Sequence, residues 1–171
     1  MDELHPAAIS KAELLKACDV RRLRRGGPGG QHRNKVETAV VVRHRPTGIS
    51  AEANERRSQA VNLRQALLRL RIRLALEVRT PYVDTHEFAP SELWRGRVSG
   101  GKIQVSREHD DFPTLLAEAI DATAFAQYEL PAAAKALGVS PTQLARFLQL
   151  EPAAWQRINQ QRQELGLRPL L

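Results

Sequence analysis

The chain has 171 residues, 26 Lys/Arg against 19 Asp/Glu for a formal net charge of +7, and one cysteine, enough for one ordinary domain or two small ones. A single Cys18 rules out an intrachain disulfide and fits a reducing compartment, where a small buried side chain is its expected role. No apolar run approaches the ~18 residues of a membrane span, and Met1-Asp2-Glu3-Leu4-His5-Pro6 shows neither half of a secretory leader, so a soluble, cytoplasmic and monomeric chain is expected, with no membrane partner.

The charge is segregated. Residues 21 to 79 carry 15 Lys/Arg against 4 Asp/Glu, a net of +11, whereas residues 1 to 20 and 80 to 171 are each −2. Basic character confined to one module is the electrostatic footprint of a nucleic-acid binder.

Ser10-Lys11-Ala12-Glu13 reads as a capping box opening a short helix that carries Leu14 and Leu15 and ends near Cys18. Val20 to Arg25 reads as extended. A β-branched run, Ala39 to Arg45, is turned by Pro46-Thr47-Gly48 into a second strand over Ile49 to Asn54. Ser58 is the N-cap of a long helix to Val78, with Val61, Leu63, Leu67, Leu70, Leu74 and Val78 recurring near helical spacing. Residues 1–79 therefore form a small α+β module, an antiparallel sheet with a covering helix. Pro81, Pro90, Gly96, Gly100 and Gly101 mark 80–110 as an irregular linker tethered by Trp94. Residues 111–171 are Ala/Leu-rich and predict an all-helical unit with helices over Pro113–Tyr128, Pro131–Leu137, Pro141–Leu150 and Pro152–Leu165, proline suiting each first turn and Gly166 the final stop.

Between the first two strands lies Gly26-Gly27-Pro28-Gly29-Gly30-Gln31-His32-Arg33-Asn34-Lys35. Four of the six residues 26–31 are glycine, the residue kept where the backbone must approach a ligand closely or take a positive φ. Such a loop offers backbone N–H donors and one side-chain amide. Arg21, Arg22, Arg24 and Arg25 precede it and Arg33 and Lys35 follow, so its approach suits a phosphate-rich, RNA-lined cavity. A nucleotide-binding P-loop is excluded, because that motif ends in Gly-Lys-Ser/Thr and opens a helix.

The run Gly27 to Lys35, then Pro46-Thr47-Gly48-Ile49, then Arg57-Ser58-Gln59 with Asn62 three residues on, resembles the peptidyl-tRNA-hydrolysing Gly-Gly-Gln (GGQ) domain of bacterial class I peptide chain release factors and of codon-independent ribosome-rescue hydrolases. Order and spacing agree over about residues 19–77. The resemblance implies a ribosome-dependent hydrolase with no cofactor, whose partners are peptidyl-tRNA and the rRNA of the peptidyl-transferase centre. It assigns catalysis to Gly29, Gly30 and Gln31: the backbone N–H of Gln31 donates to charge developing on the ester oxygens, its side-chain amide positions water, and the two glycines permit that backbone path. His32 is then an RNA contact or spacer rather than a proton shuttle, and Asn34 and Lys35 brace the loop or touch rRNA. Arg57, Ser58 and Gln59 anchor the helix start with RNA contact as a second role, and the local charge favours phosphate contact by the arginines at 64, 69, 71 and 73.

Two positions depart from the family pattern: Gly26 stands where serine is usual, and Arg33 where an apolar residue is commoner. No codon-reading domain is recognisable, nor the basic tail of rescue hydrolases, so stop-codon reading is not expected. In the helical tail, Ala134, Gly138 and Leu144 fall at helix-turn-helix spacing, Ser140-Pro141-Thr142-Gln143 is a capping box, and Gln143, Arg146 and Gln149 share the outer face of the second helix. That hairpin reads either as a nucleic-acid reader on DNA or rRNA, or as an ordinary packed hairpin or ribosomal-protein docking surface; the −2 of 80–171 favours the latter pair. No metal site is expected, since His86-Glu87 lacks a second histidine at ligand spacing and His5, His44 and His109 are isolated. Two other functions stay open: a ribosome- or RNA-binding factor without hydrolysis, and a DNA-binding regulator led by the helical tail.

Overall fold

The computed structural model describes residues 4–23, 38–80 and 88–170. They fall into two compact units, one ending at Leu74 and the other starting at Ala75.

The first unit opens with a 3-10 turn, Pro6–Ala8, and helix α1, Lys11–Lys16. Ser10 caps α1 by accepting the Glu13 N–H at 3.3 Å, and its hydroxyl donates to Glu13 Oε2 at 3.2 Å. Strands β1 (Cys18–Leu23), β2 (Ala39–His44) and β3 (Ser50–Ala53) form an antiparallel sheet in that order. β2 is central and its β-branched run explains why: Val40, Val42 and His44 fill the buried face while Arg43 looks out. Helix α2, Gln59–Glu77, supplies Ala66, Leu67, Leu70 and Leu74 to the core. The fold class read from the sequence, α+β with a small antiparallel sheet and a covering helix, is the one observed.

The second unit differs from expectation in several respects. The described part of the stretch read as a linker, 88–110, is folded: it contains helix α3 (Glu92–Arg97) and a two-stranded hairpin, β4 (Val98–Ser99) with β5 (Lys102–Ile103). The boundary also falls at 74/75 rather than at 79/80. The glycines that suggested irregularity build a tight turn, because Gly100 and Gly101 both take positive φ, 56° and 71°, as a two-residue hairpin loop requires. Ser91 caps α3 by accepting the Trp94 N–H at 3.0 Å. Trp94 is wholly buried, its indole N–H donates to the Leu137 carbonyl at 2.8 Å, and its ring meets Phe147 edge-on with centroids 5.7 Å apart. A single aromatic thus recruits the region to the helical core.

Helices α4 (Phe112–Phe125), α5 (Leu130–Ala136), α6 (Pro141–Gln149) and α7 (Pro152–Glu164) complete the unit. α4 stops three residues before the expected Tyr128, since Gln127 and Tyr128 adopt φ of 53° and 61° and the Tyr128 N–H turns back to the Thr123 carbonyl. α5 and α6 form the hairpin read from the sequence: Gly138 sits at φ 68°, the Val139 N–H closes onto the Ala134 carbonyl at 3.0 Å, and Ser140 caps α6. No helix among the described residues is long and apolar enough to cross a membrane.

Two measurements follow. Trp94→Ala removes the indole from the core and is expected to cost about 3–5 kcal/mol in urea unfolding, while Trp94→Phe keeps packing but strands the Leu137 carbonyl, for about 1–3 kcal/mol; a Trp94→Ala chain as stable as wild type would contradict this role. His44 is buried on the sheet, its Nδ1 2.9 Å from Thr47 Oγ1, and burial together with the Arg45 guanidinium holds its pKa below the ordinary 6.5. The unfolded chain then takes up a proton before the folded one does. Stability from His44 is complete above pH 6.5 and falls as the pH drops through that value toward the depressed folded pKa, a slope that His44→Gln should flatten in unfolding curves taken from pH 7.5 down to about 5.

Candidate functional site

The stretch 24–37 joins β1 to β2. Arg24, Arg25, Gly29, Gly30, Gln31, His32, Arg33, Asn34 and Lys35 lie outside the described residues, as do His86 and Glu87. The described frame on either side is well defined: the β1–β2 ladder closes on Leu23↔Ala39, so the residues bounding the stretch stand opposite one another on paired strands.

Asn62 ties this frame together. Its side chain is fully buried, on the first turn of α2, and its Nδ2 donates to the Thr38 carbonyl at 2.6 Å and to the Arg56 carbonyl at 2.8 Å, while its Oδ1 accepts the Arg56 N–H at 3.0 Å. One amide therefore joins the residue entering β2 to the bend that precedes α2. Both donors and the acceptor are used, which is what burial of an amide demands. Ser58 starts the same helix, its Oγ accepting the Val61 N–H at 3.4 Å and its carbonyl accepting the Asn62 N–H at 3.0 Å. In the sequence Asn62 stands out only as part of the pattern Arg57-Ser58-Gln59 with an asparagine three residues on. Its signal was the asparagine four residues after a helix N-cap, a poor helix former at an interior position.

The arginines separate into two groups. Arg21 and Arg22 on β1, Arg57 at the bend and Arg64 on α2 are exposed, and their side chains have no hydrogen-bond or ion-pair partner among the described residues. They are available to an anionic ligand. Gln59, the first residue of α2, is half-buried beside them. By contrast Arg69, Arg71 and Arg73, counted from the sequence among the phosphate-facing residues, are held inside the unit. Arg69 donates to the Glu52 carbonyl at 2.7 Å and pairs with Glu55 at 2.7 Å; Arg71 is buried and forks onto the Ala7 carbonyl at 3.0 and 2.9 Å; Arg73 donates to the Ser50 carbonyl. The physical reason is the strand edge. Among the described residues β3 has no outer strand neighbour, and Arg69 and Arg73 on α2 satisfy its carbonyls, while Arg71 serves the Ala7 carbonyl of the 3-10 turn.

Arg45 does the same for β1, donating to the Lys16 carbonyl at 2.5 Å, the Cys18 carbonyl at 2.9 Å and Asp19 at 3.1 Å. Cys18 itself is buried, and burial pushes its thiol up from the ordinary value, the reverse of an activated nucleophile. Among the described residues no three His, Cys, Asp or Glu side chains stand together as a metal site.

The fold and this frame define a class: a basic α+β domain that carries a Gly-rich stretch between two paired antiparallel strands, with free arginines on the strand and helix nearby. Comparison identifies the family. The RF-1 domain model matches residues 10–103, more than half of the chain, and the chain belongs to that family. Among similar proteins, the chloroplastic peptide chain release factor PrfB1 of Arabidopsis thaliana is 50% identical over 56 residues, covering 33% of this chain and 12% of that protein. Peptide chain release factor 1 of Caldicellulosiruptor saccharolyticus is 46% identical over 56 residues, 33% of this chain and 16% of its own. Peptide chain release factor 1 of Leptothrix cholodnii is 42% identical over 78 residues, 46% of this chain and 21% of its own. The chain thus spans about a fifth or less of these relatives. No solved structure matches it.

Asn62→Ala leaves the Thr38 carbonyl and both Arg56 backbone groups without their partner and is expected to lower the unfolding free energy by at least about 1–3 kcal/mol. Asn62→Asp keeps the acceptor but sets a carboxylate oxygen against two carbonyls, so it should destabilise too. Denaturant titration of both variants checks the assignment, and a wild-type midpoint for Asn62→Asp would remove it.

Proposed function

We propose that this protein hydrolyses the ester of peptidyl-tRNA on the ribosome, without reading a stop codon, and so frees stalled translation complexes. The observation that carries the reading is Gly29-Gly30-Gln31 lying within the RF-1 domain match, between two strands paired at Leu23↔Ala39.

In this reading water attacks the ester carbonyl carbon. The carbonyl π electrons move onto oxygen, the tetrahedral species collapses, and the bond to the ribose 3′-oxygen breaks as one proton of the attacking water passes to that oxygen, leaving a peptide carboxylic acid and a deacylated tRNA with a free 3′-hydroxyl. Negative charge builds first on the carbonyl oxygen and then on the leaving 3′-oxygen. A backbone donor already aimed at that charge lowers the barrier without reorganisation, and this role falls to the N–H of Gln31. The Gln31 amide orients the attacking water, and Gly29 and Gly30 leave room for the main chain to approach the ester. Arg21, Arg22, Arg24, Arg25, Arg33, Lys35, Arg57 and Arg64 contact phosphates, which position the domain, while His32, Asn34, Ser58 and Gln59 complete the RNA-facing rim. The remaining half of the active site is RNA and the tRNA ribose.

Release of labelled peptide from purified ribosome complexes tests this, with the A site programmed by a stop codon, by a sense codon, or left empty. Wild type should release peptide on the empty A site and gain nothing from a stop codon. Gly30→Ala, which displaces the donor, should lose roughly 10²–10³-fold in rate. Gln31→Ala keeps the backbone N–H and should lose less. Ribosome binding with no release by wild type would overturn hydrolysis in favour of a purely binding factor.

A further inference from the structure

The second unit, −2 in charge over residues 80–171, is uneven in the same way as the whole chain. Two of its segments, 93–107 and 130–150, contain no Asp or Glu at all, and between them they hold Arg95, Arg97, Lys102, Arg107, Lys135 and Arg146. The first includes the β4–β5 hairpin and the second is the α5–turn–α6 hairpin, and β5 packs against α6. The fold therefore brings the acid-free segments together.

Two of the six cations are spent within the unit, Arg97 on Asp111 at 2.5 Å and Arg107 on Glu151 at 2.8 Å. Lys102 on β5 and Arg146 on α6 are exposed, and neither side chain has a hydrogen-bond or ion-pair partner among the described residues. On α6 the apolar residues Leu144, Phe147 and Leu148 face the core, which leaves Thr142, Arg146 and Gln149 outside, with Gln143 half-buried beside them. A helix stop at Gly138 and a capped start at Ser140 set the turn between the two helices. This is a helix-turn-helix with a short hairpin at the side of its second helix, presenting positive charge and neutral hydrogen-bonding groups and no carboxylate.

We infer that the outer face of α6, with the β4–β5 hairpin beside it, is a docking surface for double-stranded RNA. Phosphate attraction needs uncompensated cations, and this face has two, Lys102 and Arg146, in a unit whose charge over residues 80–171 is −2. RNA is the choice over DNA because the face offers few cations beside amides and a hydroxyl, groups that can meet the 2′-hydroxyls and base edges of an A-form minor groove, and because the proposed function sets the chain on the ribosome; the choice of nucleic acid rests on that reading. Averaged over 80–171, the net charge of −2 favours a packed hairpin or a ribosomal-protein docking surface over duplex DNA, and that average hides the two acid-free segments.

The test uses the full chain and a short RNA hairpin duplex. Lysine acylation read by mass spectrometry should show Lys102 protected severalfold when the duplex is added, and a DNA duplex of the same sequence should protect it less. In fluorescence anisotropy, Arg146→Glu should weaken duplex binding about tenfold and lower the slope of log affinity against log salt by about 1, with an unchanged circular dichroism spectrum. Unaltered Lys102 reactivity at saturating RNA overturns the inference, and the wild-type footprint decides this even if the variant fails to fold. Equal protection by DNA overturns the assignment to RNA. Peptide release separates the two readings: a lost footprint with release intact removes only this surface, whereas a footprint without release leaves the surface standing and removes the hydrolase.

Discussion

An amide taken out of water must find its partners inside the protein, and in the first unit Asn62 satisfies that demand with three backbone groups from two segments distant in sequence. The consequence reaches both ways along the chain. On one side the bond to Thr38 fixes the main chain where it enters β2; on the other the two bonds to Arg56 fix the bend from which α2 starts. The entry to β2 and the start of α2 are both held to one buried side chain. Each alternative arrangement leaves a polar group unpaired in a dry interior, which is why a single amide can specify a geometry that apolar packing alone leaves loose.

Arginine plays a similar part around the sheet. A three-stranded sheet has two edges, and here α2 lends Arg69 and Arg73 to the carbonyls of β3 while Arg45 serves the start of β1. The basic charge of the module is consequently divided between structure and surface. Arg21, Arg22, Arg57 and Arg64 have no side-chain partner among the described residues, and they lie on the strand that leads into the Gly-rich stretch and on the bend and helix that Asn62 joins to its exit. Charge available for phosphate is smaller than the sequence count.

The helical unit follows another rule. Its core is aromatic, with Trp94, Phe112 and Phe147 in edge-on contact, and Trp94 comes from a region whose glycines and prolines read as irregular. A buried indole with its N–H satisfied on Leu137 outweighs weak local preference, so a two-residue hairpin and a six-residue helix persist where neither has intrinsic stability. In the same unit β5 packs against α6, which brings two acid-free segments of the sequence together.

The features legible in the sequence are short-range ones. The β-branched run of β2, the serine caps at 10, 58 and 140, the proline starts of α6 and α7, the Gly138 turn and the Gly-Gly-Gln pattern of the RF-1 family are all legible within a few residues, because dihedral preference, capping and side-chain period act at that range. Tertiary structure alone decided which arginines bond to carbonyls and which face water, that Asn62 spans from helix to strand, and that 88–110 joins the helical unit. Those outcomes depend on satisfying buried polar groups and filling a core with residues far apart in the chain. A guanidinium on α2 reads the same in sequence whether a strand edge or a solvent boundary lies beside it, and only the fold says which.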